Sequence, residues 1–197
     1  KIFPKCKVHA FEPVKSSYNK LIDNITENKL GDRITAHNFG LLSKKKQVLI
    51  GKPPHPNSRR SPGNIGLYSI YASSAKDQDV QSANFRCLEN FCKDLDVYPD
   101  FIKLDVEGCE FEILNSIKSD ILKNVKAILV EVNYNPIFPS PEEVNKLLLS
   151  EGYFPVFPPL KMDDAQRANR AECARQTRLY GRPHLRIKAF NRLWWRP

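Results

Sequence analysis

The stretch FIKLDVEG, followed by a helical stripe and then AILVEV, constrains the fold of this chain more than any other feature. Phe101 to Val106 is an apolar run of strand length that breaks at a glycine. Phe111, Leu114, Ile117 and Ile121 then fall on one side of a helix. Ala127 to Val132 is a continuous apolar strand, as expected where both faces of a sheet are covered. A strand, a helix and a second apolar strand in that order call for parallel pairing across a helical crossover, which excludes an all-helical bundle and a simple meander.

The same alternation extends in both directions. KVHAF, from Lys7 to Phe11, is short and β-compatible, and FEP closes it at Pro13. Tyr18, Leu21, Ile22 and Ile25 follow at helical spacing and predict a helix that stops near Gly31. ITAHNF (Ile34 to Phe39) is the next strand, and a lysine-bearing turn leads to QVLI (Gln47 to Ile50) in a hairpin or extended excursion. Residues 51 to 84, rich in Pro, Ser, Asn and Gly, predict a long loop. FRCLENFCKDL then gives a short strand and helix. After AILVEV, Ser140, Pro141 and Glu143 form a capping-box helix start, with Gly152 as the stop. YFPVF and KAFNRLWW supply the last strands. The fold class is therefore α/β, a mostly parallel sheet with helices on both faces. Residues 1–158 form the domain, 159–185 an arginine-rich insertion, and 186–197 the last strand of that domain.

Charge and cysteine usage narrow the function classes. The net charge is +9, and seven of those nine surplus positive charges sit in residues 159–197, where arginine predominates. That segment fits phosphate contacts, and Tyr180, Trp194 and Trp195 are rings that could stack on bases, so an RNA or protein partner through residues 159–197 is one expectation. No run of about 18 apolar residues occurs, so no membrane span is expected. Cys6, Cys87, Cys92, Cys109 and Cys173 show neither a CxxC pair nor a zinc-type spacing. They read as reduced thiols in the cytoplasm or another reducing compartment, and no metal site is expected.

In open α/β sheets ligands bind outside the carboxyl ends of the strands, which singles out Glu12, Asn38 and Phe39, Asp105 and Glu107, and Glu131. A carboxylate at such an end can accept both hydrogen bonds of a ribose diol, and Glu12 fits that role. Capping of the following helix is the alternative use of the same group. LDVEGCEFE places Asp105, Glu107, Glu110 and Glu112 at one strand-to-helix turn. Glu110 and Glu112 fall in the first helical turn, where the macrodipole favours negative charge. Asp105 and Glu107 share a face if the strand persists, and their crowding marks them as functional. His9 and His37 are weaker candidates, placed in or beside strands.

VHAFEP, HNFGLLSKK, FIKLDVEGCEFEIL, ILVEVN and the ending FNRLWWRP follow in an order that resembles the FkbM family of methyltransferases. The resemblance implies a Rossmann-like class I methyltransferase fold, S-adenosylmethionine as cofactor, and O-methylation of a hydroxyl on a sugar or other small metabolite. It also implies that Glu12 holds the cofactor ribose and that Asn38 and Phe39 lie near the adenine. Asp105 and Glu107 would face the methyl group and acceptor, with Asp105 touching both cofactor and substrate and serving as the first candidate base.

The family places an apolar strand and a glycine loop before FEP, and the 197-residue chain supplies neither. PGNIGLYSIYAS, Pro62 to Ser74, resembles such a loop but follows SRRSP instead of an apolar strand. The missing strand would lie between the FEP and LDVEG strands, so residues upstream of Lys1, or a partner chain, are expected to fill its place. The rival function is a catalytically degenerate methyltransferase-fold subunit with a structural or RNA-contacting role. A nicotinamide-dependent dehydrogenase would use Glu12 similarly but leaves the LDVEGCE cluster without a purpose.

Overall fold

The computed structural model describes residues 5–51, 70, 80–106, 108–133, 141–155 and 189–196. The chain divides into two compact units, Lys1–Asp96 and Val97–Pro197.

In the first unit, strand β1 (Val8–Phe11), helix α1 (Lys15–Glu27) and strand β2 (Ile34–His37) form a β-α-β unit. The two strands pair in parallel, Val8 opposite Ile34 and Phe11 opposite His37. Of the helical stripe, Ile25 is buried and Ile22 is exposed. Strands β3 (Gly40–Leu41), β4 (Lys46–Gly51) and β5 (Val80–Arg86) form a second sheet in the order β3-β5-β4, and helix α2 (Leu88–Leu95) follows. The expected loop over residues 51–84 thus ends earlier than its composition suggests. Residues 80–84 are strand, because the backbone of Val80 to Phe85 pairs antiparallel with β4 while Ser82 and Asn84 stay exposed and Ala83 and Phe85 are buried. The period-2 burial decides the structure there, and the polar composition does not. The apolar core of this unit gathers Leu42, Ile50, Phe85, Leu88, Phe91 and Cys92.

The second unit is built on a four-stranded sheet in the order β6-β7-β9-β8, with β6 (Phe101–Leu104), β7 (Ala127–Asn133), β8 (Phe154–Pro155) and β9 (Ala189–Trp195). β6 and β7 are parallel, Phe101 opposite Ala127 and Leu104 opposite Val130. β9 runs antiparallel to both β7 and β8. The helices are α3 (Glu110–Ser116), α4 (Ser119–Leu122) and α5 (Pro141–Ser150). Ile102, Leu104, Ile128, Val130, Ile113, Leu114, Ile121 and Leu148 fill the core.

Several boundaries differ from expectation, among them the end of β2 at His37 instead of Phe39. β6 ends at Leu104 instead of Val106, because the Val106 amide turns to the Glu110 carboxylate and leaves the ladder. The single helix expected from Phe111 to Ile121 is two short helices. Ile117 is extended (φ −81, ψ 124), and the Ser116 hydroxyl donates to the Ile113 carbonyl, an alternative to continued helix. The break costs no burial, since Ile117 and Ile121 both stay in the core.

Among the described residues β1 ladders with β2 alone and β6 with β7 alone. The arginine-rich segment 159–185, the PGNIGL stretch, Ser140 and Tyr180 lie outside the described residues. Trp194 is fully buried at 0% exposure, which removes it as a base-stacking ring. No helix among the described residues is long and apolar enough to cross a membrane.

Candidate functional site

The carboxyl ends of β1 and β2 bring Glu12, Asn38 and Phe39 together. Parallel pairing aligns the two strand ends, and the Glu12 amide donates to the His37 carbonyl at 3.0 Å, one step past the ladder. Glu12 Oε1 accepts the Val14 amide at 2.7 Å, so one carboxylate oxygen closes the turn into α1. Burial raises the Glu12 carboxyl above its ordinary value, and the Val14 hydrogen bond opposes that rise. Asn38 Nδ2 donates to the Glu12 carbonyl at 3.0 Å and reaches the Pro13 carbonyl at 3.5 Å, which ties the end of β2 to the turn after β1.

Phe39 belongs to an aromatic cluster that the composition of the strands foreshadows but their spacing alone does not assemble. Phe11 and His37, opposite one another in the ladder, stack with centroids 5.1 Å apart. Phe39 lies 5.5 Å from Phe11 and 5.4 Å from His37, and Phe91 from α2 meets Phe11 and His37 edge-on, each at 4.9 Å. The Arg86 guanidinium lies 5.3 Å from the Phe39 ring centre and pairs with Asp94. His9 Nδ1 and His37 Nε2 are 3.0 Å apart and share a hydrogen bond. Burial, His9 and Arg86 together hold the His37 ring below its ordinary value, so it is the neutral form that packs here.

In the second unit Asp105 stands one residue past β6. Because Leu104 pairs with Val130, the next residue of each strand brings Asp105 beside Glu131 of β7. Lys103, two residues back and therefore on the same face, donates from Nζ to Asp105 Oδ2 at 2.7 Å. The Asp105 carboxyl lies below its ordinary value, chiefly through a hydrogen bond with Glu131 and secondarily through Lys103, against an opposing effect of burial. Gly108 turns the chain with φ 103, in the left-handed region that favours glycine. The Glu110 carboxylate, nearly buried, accepts the Val106 amide at 3.2 Å and the Gly108 amide at 3.3 Å, and burial raises its pKa. Glu110 thus does more than answer the helix dipole: it clamps the turn that presents Asp105. Glu107 lies outside the described residues.

Lys103 and Glu131 are the neighbours of Asp105 that sequence reasoning left without a role. Lys103 was legible as the residue two before Asp105 on one strand face. Glu131 needed the register between β6 and β7, which no local pattern states.

The carboxylate, amide and aromatic ring at the β1–β2 end match in type what a nucleoside needs, namely an acceptor for hydroxyls and an apolar face for a base. The Asp105 group offers an ionised carboxylate at a strand end with a cation beside it, which can take a proton from a bound hydroxyl.

Among curated proteins nothing matches this chain. One similar solved structure is the methyltransferase FkbM from Methylobacillus flagellatus KT, with 17% identity and a TM-score of 0.43; the match covers 73% of this chain and 30% of that one. The chain therefore spans about a third of that protein's length. A family model described as the methyltransferase FkbM domain matches residues 1–155, a span that holds β1 through β8 together with the FEP and LDVEG turns. This chain belongs to the FkbM methyltransferase family.

Proposed function

We propose that the chain serves S-adenosylmethionine-dependent O-methylation of a hydroxyl on a sugar or another small metabolite. The observation that carries the reading is Asp105: an ionised carboxylate just past a parallel strand, where ligands of open α/β sheets bind, held by Lys103 at 2.7 Å. Family membership over residues 1–155 supports the methyl-transfer chemistry. S-adenosylmethionine, when bound, supplies an electrophilic methyl on a sulfonium. In this reading Glu12 accepts from the ribose hydroxyls with the oxygen that Val14 does not occupy. Asn38 fixes the turn on which Glu12 sits, and Phe39 offers a ring to the adenine. Asp105 orients the acceptor hydroxyl and receives its proton, and Glu107, two residues on in the sequence, shares that role in the proposal; alignment and proton removal are the protein's main contributions to such a displacement.

Calorimetry with S-adenosylmethionine tests the proposal. Micromolar S-adenosylmethionine binding that Glu12→Ala abolishes is the expected result. Absence of binding, with salt-dependent affinity for RNA, would replace the reading by a catalytically degenerate subunit that works through residues 159–197, whose seven surplus positive charges favour that alternative.

A further inference from the structure

We propose that Arg86 is a positioning residue for the base of the bound cofactor: its guanidinium, tethered by Asp94, caps the Phe39 ring and fixes how that ring meets the adenine. The inference rests on the reading of Phe39 as the ring that the adenine meets.

Three observations carry it. Arg86 is the last residue of β5, and the parallel pairing of β3 with β5 sets it opposite Leu41. Phe39 stands two residues before Leu41 and so on the same side, and the Arg86 guanidinium carbon lies over its ring, 5.3 Å from the centre. The rings of Phe11, His37 and Phe91 meet Phe39 tilted, at 52°, 48° and 58°, so none of the three lies flat on it. Helix α2 reaches the cluster twice from one side: Phe91 meets Phe11 and His37 edge-on, and Asp94, three residues further along the helix, pairs with Arg86.

Stability does not account for this ion pair. Asp94 stands in the last turn of α2, where the helix dipole disfavours an anion. The Arg86 and Asp94 side chains are 34% and 57% exposed, and pairs so open to solvent add little to folding. The consequence of the pair is geometric. A guanidinium is planar and stacks on aromatic faces, and the carboxylate keeps it from swinging away into solvent. Phe39 is only half-buried, so its ring keeps surface for a ligand. A ring already held by a tethered cation loses less freedom when a base settles against it, and that saving appears as affinity. Arg86 acts through the ring, while Glu12 and Asn38 serve the ribose end of the same ligand.

Nitrogen-15 NMR of the full chain tests the cap with no ligand added, with Arg86→Met used to assign the signal. The Arg86 Nε proton should lie upfield in wild type, shifted by the Phe39 ring, and should return to the ordinary arginine position in Phe39→Leu and in Asp94→Asn. Calorimetry with S-adenosylmethionine reads the consequence. Arg86→Met keeps the length of the side chain and should raise Kd about two- to fivefold, the effect of one cation–π contact, and Arg86→Lys should recover most of that loss. Phe39→Leu should raise Kd about tenfold, and the double variant should bind no more weakly than Phe39→Leu alone, because Arg86 acts through that ring. In methyl transfer Arg86→Met should raise KM for the cofactor with little change in kcat, and its urea midpoint should stay close to wild type, which a purely structural role would move. Wild-type affinity in Arg86→Met, or losses that add in the double variant, overturn the proposal while leaving Phe39 as the adenine's ring. Wild-type affinity in Phe39→Leu, or a chain that shows the cap by NMR and binds no S-adenosylmethionine, refutes the adenine reading and the positioning role with it.

Discussion

Protonating His37 would set a positive charge against His9 and Arg86 within a cluster of phenyl rings. Its pKa in the folded chain is below the ordinary 6.5, so the unfolded chain binds the proton first as pH falls. His37 therefore leaves stability untouched well above 6.5 and subtracts from it increasingly as pH drops below that value toward the folded pKa. Thermal unfolding followed between about pH 7.5 and 5.5 should show a smaller acid loss of Tm for His37→Gln than for wild type; equal losses would contradict this account. Glu12 closes the turn into α1, and two variants separate its charge from its capacity to accept that bond. Glu12→Ala removes the oxygen that accepts the Val14 amide and should cost about 0.5–2 kcal/mol in urea unfolding, in the manner of a lost helix cap, whereas Glu12→Gln keeps an acceptor and should stay close to wild type. At this scale the sequence told a good deal: strand-end position alone picked out Glu12, Asn38, Phe39 and Asp105. It could not show that His9 bonds His37, because a diagonal contact across a parallel ladder depends on register.

Tyr153 joins three elements of the second unit. Its hydroxyl lies 2.8 Å from the carbonyls of both Leu122 and Val125, at the end of α4 and just before β7, and the ring is fully buried between α5 and β8. Arg196, just past β9, lies over the same ring at 4.5 Å and donates to the Leu122 carbonyl at 3.2 Å. Tyr153→Phe preserves the packing but takes the hydroxyl donor from the Val125 carbonyl, while Leu122 keeps the Arg196 guanidinium, so chemical denaturation should register a loss of about 1–3 kcal/mol. Gly152 ends α5 with φ 82, so Gly152→Ala should cost about 1 kcal/mol by the same measurement. Most elements were legible from periodicity and punctuation: the FEP stop after β1, the stripe of α1, Pro141 and Gly152 around α5. The division of α3 from α4 was not, because Ile117 and Ile121 keep helical spacing in sequence while the chain between them leaves the helix. β5 was hidden for the opposite reason. Its polar residues look like loop, and only pairing with β4 makes them strand.

For the chain as a whole, ligand binding offers the most direct readout of the proposed activity. A ligand that binds only the folded form at one hundred times its Kd adds about 2.7 kcal/mol of stability. S-adenosylmethionine should accordingly raise the Tm of the protein by several degrees, and Glu12→Ala should abolish the rise. The family could be read from the order of its motifs, since FEP and LDVEG recur at a characteristic separation. Which strands become neighbours was harder to read, because β3 pairs with β5 and β7 with β9 across long stretches of intervening sequence. The position of β9 sets a timetable for synthesis. As the chain emerges from the ribosome, β6 and β7 can pair early, but among the described residues β7 must wait with one edge open, and β8 with no ladder partner, until the residues of β9 have been made. The second unit therefore matures late, and a ribosome that stalls before Ala189 would leave an adhesive apolar strand exposed to whatever chain lies nearby.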